Sequence, residues 1–148
     1  MLNNFKTSDK LKRHVGFLQE KGAMYLSYNG NLLIHGCLPL HENGDFKSFT
    51  IDKKAYAGRD LLDFFDSEVR KCLAHPEESE DLATDLMWYL WVGECSSLFG
   101  KTAMTTFERY YIKDKSTHVE KKNPYYQLRE QPKIITKILE NFGLDENG

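Results

Sequence analysis

Cysteine is scarce in this chain of 148 residues: there are three, Cys37, Cys72 and Cys95, and no C-x-x-C pair. That arithmetic excludes both a disulfide framework and a zinc knuckle. The three read as reduced, partly buried thiols of a cytoplasmic protein. Long apolar runs are also missing. The longest, Leu86 to Val92, is far too short to cross a bilayer, and the opening MLNNFKTSDK lacks the apolar stretch of a signal peptide. Charge of one sign is not in excess, with 20 basic against 22 acidic side chains and a net charge of −2. No basic field therefore recruits nucleic acid or an anionic membrane, and neither partner is expected. The chain also lacks a P-loop, a G-x-G-x-x-G, an H-E-x-x-H and a nucleophile elbow. No internal repeat or low-complexity segment is visible.

Aromatics are plentiful: nine Phe, eight Tyr and two Trp. Their large buried area supports a core in a chain of modest hydrophobic content, and the length suits one domain. Thr7 or Ser8 caps a first helix with Leu11, Val15 and Leu18 at helical spacing, closed by Gly22. Asn29-Gly30 sits between two apolar runs and predicts a hairpin with strands near residues 24–28 and 31–34. A second turn, Glu42-Asn43-Gly44-Asp45, precedes a short strand at Phe49 to Ile51. Leu61, Phe65, Val69 and Cys72 then share one helix face that ends at His75-Pro76. Pro76 or Ser79 opens the next helix, with Leu82, Leu86, Met87, Leu90 and Trp91 inward, Glu77 to Asp81 in its first turns, and Gly93 as its stop. Thr105-x-x-Glu108 resembles a capping box for a short helix, although FERYYI also reads as a strand. Pro132 starts a last helix with an apolar stripe of Ile134, Ile135, Ile138, Leu139 and Phe142, ended by Gly143. The fold class expected is α+β: a small sheet of hairpins, then a mostly helical region.

Few residues carry chemistry on their own. His14 and His75 read as surface and helix-boundary residues, and His118 reads equally as a site residue or a loop hydrogen bond. The acidic run Glu77 to Asp81 is a solvated helix start, and of Trp88, Tyr89 and Trp91 most is expected in the core. His35 stands out, because it follows the strand NLLI and precedes Gly36. A strand end holds a side chain rigidly yet within reach, which a metal ligand requires.

The segment LLIHGCLPL resembles the His-Gly element of the calcineurin-like metallophosphoesterases, in which the His coordinates one of two metal ions. Further segments extend the likeness: GRDLLDFFDSEVRK, HPEESEDLATDLMWYLW, SSLFGKTAMTTFERYYIKDK and KNPYYQLRE. With the His-Gly element they resemble the class III fructose-1,6-bisphosphatases of bacteria, long manganese-dependent members of that superfamily. The resemblance runs from about Lys21 onward. It implies that this chain is a central piece of an α/β metallophosphoesterase fold. The family's Asp-x-His, Gly-Asp-x-x-Asp-Arg and Gly-Asn-His-Asp/Glu motifs are expected before Met1, and its Gly-His-Thr-Pro motif after Gly148.

What the resemblance implies is hydrolysis of a phosphate ester by water activated between two manganese ions, with His35 as the one metal ligand in this chain. A bisphosphate also needs a second anion site built from cations and amides. Arg109, Lys101, Tyr110 and Arg59 are the candidates, since arginine grips phosphate through paired hydrogen bonds and lysine acts as a point charge. The division expected is 1–52 for part of the catalytic core, 53–131 for a helical insertion carrying the substrate residues, and 132–148 for a helix returning to the core. Fructose 1,6-bisphosphate is the expected partner, together with self-association through uncovered core surface, and the piece alone is expected to be inactive. Two other readings stay open: a phosphoprotein phosphatase segment sharing the His-Gly element, and a non-catalytic helical interaction module. LFGK and FERYY belong to the bisphosphatase likeness and speak against the first.

Overall fold

The Asn29-Gly30 turn sets the first sheet. Both residues take positive φ (50° and 72°), which the tight turn demands and which Asn and Gly tolerate best. The strands are β1 (Tyr25–Tyr28) and β2 (Asn31–Ile34), paired antiparallel with Tyr25 opposite Ile34 and Leu26 opposite Leu33. The period of two then sorts the side chains: Tyr25, Leu32 and Ile34 pack toward the core, whereas Leu26, Tyr28 and Leu33 face solvent. This computed structural model describes residues 5, 7–77 and 80–145.

Helix α1 (Asp9–Lys21) precedes the hairpin, capped by the Ser8 hydroxyl, which accepts from the Leu11 amide, and closed where the Gly22 amide reaches Leu18. Its apolar stripe of Leu11, Val15 and Leu18 does not join the core. No α1 residue is buried and Leu18 is exposed, because the helix stands off across a cleft from Val69, Leu73 and Trp91.

A second hairpin joins β3 (Ser48–Ile51) to β4 (Lys54–Ala57), with Phe49 opposite Tyr56. The strand β4 was not legible, because its turn places Asp52 and Lys53 at positive φ (48° and 65°) without a glycine. The division drawn at 52/53 falls inside this turn. Helix α2 (Gly58–Ala74) buries Leu61, Leu62 and Phe65 and ends at His75, before Pro76, as the spacing predicts.

Helix α3 (Leu82–Val92) corrects the sequence reading at its start. Asp81 is the cap, its carboxylate accepting from the Thr84 amide at 2.8 Å. Pro76 therefore lies in a preceding turn, Glu77 and Glu80 lie before the helix, and Ser79 and Glu78 fall outside the described residues. Leu86 and Leu90 are buried as expected, but Leu82, Trp88 and Trp91 are exposed. A helix apolar all round does not announce which stripe packs, and of the aromatic trio only Tyr89 joins the core, against Phe49 and Phe65.

Helix α4 (Thr106–Tyr111) settles FERYY as helical, and a short 3₁₀ turn follows at Lys115–His118. The capping box does not form, since Thr105 turns its hydroxyl to other partners described below. Helix α5 (Tyr125–Leu128) and helix α6 (Pro132–Asn141) complete the chain. From the predicted stripe, Ile138 and Phe142 are buried and Ile134 packs beside them, while Ile135 is exposed. One core gathers Met24, Leu38, Leu61, Leu62, Phe65, Leu86, Leu90, Cys95, Ile138 and Phe142 from all three divisions of the chain. Each Leu, Ile, Phe or Met among them contributes roughly 1.5–3 kcal/mol by burial. The architecture is α+β, with two small antiparallel sheets and helices around one core. Among the described residues, no helix is long and apolar enough to cross a membrane.

Candidate functional site

His35 directly follows β2, and its side chain is exposed. Its ring makes no hydrogen bond or ion pair among the described residues, and it borders a cleft lined by Lys21, Ala23, Met24, Tyr25 and Leu33. The chain beside it is held firmly. The Cys37 amide donates to the Ser97 carbonyl at 2.9 Å, and residues 37–40 are fully buried or nearly so. The three cysteines are free thiols, and burial pushes Cys37 up to about 12, so this neighbour is an inert apolar thiol.

Lys101 and Arg109 converge on one carboxylate. Lys101 Nζ lies 2.6 Å from Glu120 Oε2, and Arg109 Nη2 lies 3.7 Å from Oε1. Thr105 gives Glu120 both its amide (3.1 Å) and its hydroxyl (3.0 Å), and Arg109 Nε donates to the same hydroxyl oxygen at 3.0 Å. Arg109 Nη2 also donates to the His118 carbonyl at 3.3 Å. The Lys101 hydrogen bond, reinforced by the Thr105 amide and hydroxyl, holds Glu120 down at about 2. The carboxylate side chain is only 16% exposed, against 40% for Lys101 and 55% for Arg109.

Tyr110, next to Arg109 on α4, is 81% exposed. Arg59 stands elsewhere, its Nε donating to the Tyr25 hydroxyl at 3.0 Å and pairing with Asp63 at 3.5 Å. That hydrogen bond raises the Arg59 guanidinium above its usual range. Arg59 and His35 border two clefts that share Ala23 through Leu26. His118 is a structural residue: its Nε2 lies 2.9 Å from the carbonyls of both Glu108 and Ile112, so that nitrogen carries the proton and closes the end of α4. Sequence reasoning missed Glu120, since a Glu inside VEKKN looks like one solvated charge among several, and it read Thr105 only as a helix cap.

The profile of the family described as Firmicute fructose-1,6-bisphosphatase matches residues 1–148. The chain belongs to that family. Among curated relatives it is 99% identical over 148 residues to the class 3 fructose-1,6-bisphosphatase of Lactococcus lactis subsp. cremoris, covering all of this chain and 23% of the relative. It is 62% identical over 144 residues to that of Streptococcus agalactiae, covering 97% of this chain and 22% of the relative. The Bacillus velezensis relative is 60% identical over 145 residues, with 98% and 23% covered. The chain thus spans about a quarter of the length of the curated relatives it matches, and no solved structure matches it.

Proposed function

We propose that this chain is a central piece of a fructose-1,6-bisphosphatase of metallophosphoesterase fold, acting in the cytoplasm on the 1-phosphate of fructose 1,6-bisphosphate. The observation that carries the reading is the family match over every residue of the chain. The imidazole of His35, exposed and without a partner among the described residues, fits one position of a manganese centre, because a neutral ring nitrogen suits such ions. Among the described residues no three His, Cys, Asp or Glu side chains converge to hold a metal, and the reading places the other donors in other parts of the enzyme. When bound, two such ions acidify a water and neutralise phosphoryl oxygens. The residues of this chain bind and orient. His35 holds its ion at a fixed strand end, while Arg109 and Lys101 receive the phosphate that is not cleaved. Arg59, with its charge already matched by Asp63, is the weaker candidate, and Tyr110 offers a hydroxyl from an exposed position.

The test uses the full-length Lactococcus relative and this chain in parallel. The full-length protein should release phosphate from fructose 1,6-bisphosphate with manganese present, and His35→Ala should lose bound manganese measured by elemental analysis. This chain alone should release none, since one imidazole cannot hold two ions. Full manganese retention by His35→Ala, or chelator-sensitive turnover by the isolated chain, would overturn the reading.

A further inference from the structure

His35 and the Lys101–Glu120–Arg109 cluster lie far apart in sequence, and one turn contacts the backbone beside both. Ser96 anchors that turn. It is fully buried, its hydroxyl donates to the Leu90 carbonyl at the end of α3 (2.6 Å), and it accepts from the amides of Leu98 (3.1 Å) and Phe99 (3.2 Å). On one side of the turn, the Ser97 carbonyl receives the Cys37 amide. Gly36 lies so close that a Cβ there would overlap the Ser97 carbonyl oxygen, so only glycine lets the loop seat. On the other side, the Gly100 carbonyl receives the Asn123 amide at 2.9 Å, and Lys101 pairs with Lys122 across a short bridge. Asn123 Oδ1 closes the circuit by accepting from the Leu40 amide at 3.1 Å. The loop carrying His35 and the stretch carrying Lys101 are thus hydrogen-bonded to the same buried turn.

We propose that this turn is the positioning element of the site: Ser96, through the Ser97 carbonyl and Gly36, fixes His35 at a set place relative to the Lys101–Arg109 cations. The proposal rests on the reading of His35 as a metal ligand. Neither Gly36 nor Ser96 need touch metal or substrate. Their effect comes from backbone placement, and misplacing a ligand through its supporting shell typically weakens metal binding roughly 10- to 100-fold.

The experiment places Gly36→Ala, Ser96→Ala and His35→Ala, in this numbering, in the full-length Lactococcus relative. It measures manganese affinity by titration, KM for fructose 1,6-bisphosphate and for an aryl phosphate, and folding by circular dichroism. Gly36→Ala should fold and bind manganese roughly 10- to 100-fold more weakly. Ser96→Ala should do the same and also raise KM for the bisphosphate more than for the aryl phosphate, because it loosens both sides of the turn. A merely structural role would lower the melting temperature and leave the folded enzyme's manganese affinity and KM ratio unchanged, which overturns the proposal. Wild-type manganese affinity in His35→Ala sinks the ligand reading and this proposal with it. Loss of metal in His35→Ala alone, with both other variants like wild type, sinks only the proposal. If neither Gly36→Ala nor Ser96→Ala folds, the turn is a folding element and the proposal also falls.

Discussion

Replacing Arg109 by alanine in the full-length Lactococcus relative separates the proposed substrate recognition from scaffolding. A charge-assisted hydrogen bond to phosphate is worth about 1.5–3 kcal/mol. The structure selects the lower end. Of the five guanidinium donors, Nε is taken by the Thr105 hydroxyl and Nη2 donates to the His118 carbonyl, with Glu120 Oε1 3.7 Å from it. Only Nη1 remains without a partner among the described residues, so a two-pronged grip requires exchanging an existing bond. A loss near 1.5 kcal/mol corresponds to a KM for fructose 1,6-bisphosphate raised about tenfold. The value for an aryl phosphate, which has no second phosphate, should move by less than about twofold. Stability should change little, because exposed ion pairs contribute only about 0–1 kcal/mol. The assay is steady-state phosphate release on both substrates, with a thermal melt as control. Equal loss on both substrates would refute the substrate-site assignment and leave Arg109 as the brace of Thr105 and His118.

Glu120, held at about 2 against a usual 4.5, contributes stability that is present above pH 4.5 and is lost as pH falls from there toward 2. Acid titration of this chain, followed by circular dichroism, should show that limb, and Glu120→Gln should flatten it; an unchanged limb would mean that other carboxylates drive acid unfolding. The outward pair Leu26–Leu33 with Tyr28 leaves one face of the first hairpin apolar, so this chain should sediment as concentration-dependent oligomers. Leu26→Lys with Leu33→Lys should restore a monomer, and a wild-type monomer at every concentration would refute the idea. Asn123→Ala removes the acceptor of the Leu40 amide (3.1 Å) and of the Tyr125 amide (2.9 Å), at a position only 3% exposed. Leaving both unsatisfied costs about 2–6 kcal/mol, which should lower the urea midpoint of this chain by about 1–3 M; a shift below about 0.5 M would show water replacing the side chain.

The elements legible in the sequence are those whose signals are local. Asn29-Gly30 dictates its turn through tolerated positive φ, Leu61 and Phe65 mark α2 by helical spacing, and Pro132 opens α6. The strand β4 was hidden because Asp52 and Lys53 adopt a turn conformation that local rules assign to Gly and Asn. In α3 an almost continuous apolar run gave no face, so the exposure of Trp88 and Trp91 depends on where α2 packs. The failed capping box has the same origin. Thr105 carries the expected residue type, but its hydroxyl donates to Glu120, fifteen positions away, and its oxygen accepts from Arg109 Nε in place of the helix amide. His35 was readable as an accessible strand-end residue, whereas the turn that seats it, Ser96 and Ser97, carries no local signal at all.

Charge counting ranks the candidate anion residues more sharply than proximity does. Arg59 and Asp63 form a one-to-one pair, and the Tyr25 hydroxyl occupies the same guanidinium edge, so an incoming phosphate gains little net field there. At Glu120 the count is two cations to one carboxylate, which leaves one positive charge unbalanced within the cluster. The geometry directs that charge outward, since the carboxylate is the least exposed of the three side chains and is saturated by the Thr105 amide and hydroxyl. A carboxylate in this position fixes two flexible side chains before any ligand arrives. That reduces the ordering cost of binding, about 0.5–1.5 kcal/mol for each long side chain. Substituting Glu120 by Gln should therefore act in two opposing directions on an anion, through added net positive charge and lost preorganisation. Mixed effects of that kind are why Arg109, and not Glu120, is the decisive position for testing recognition of the distal phosphate.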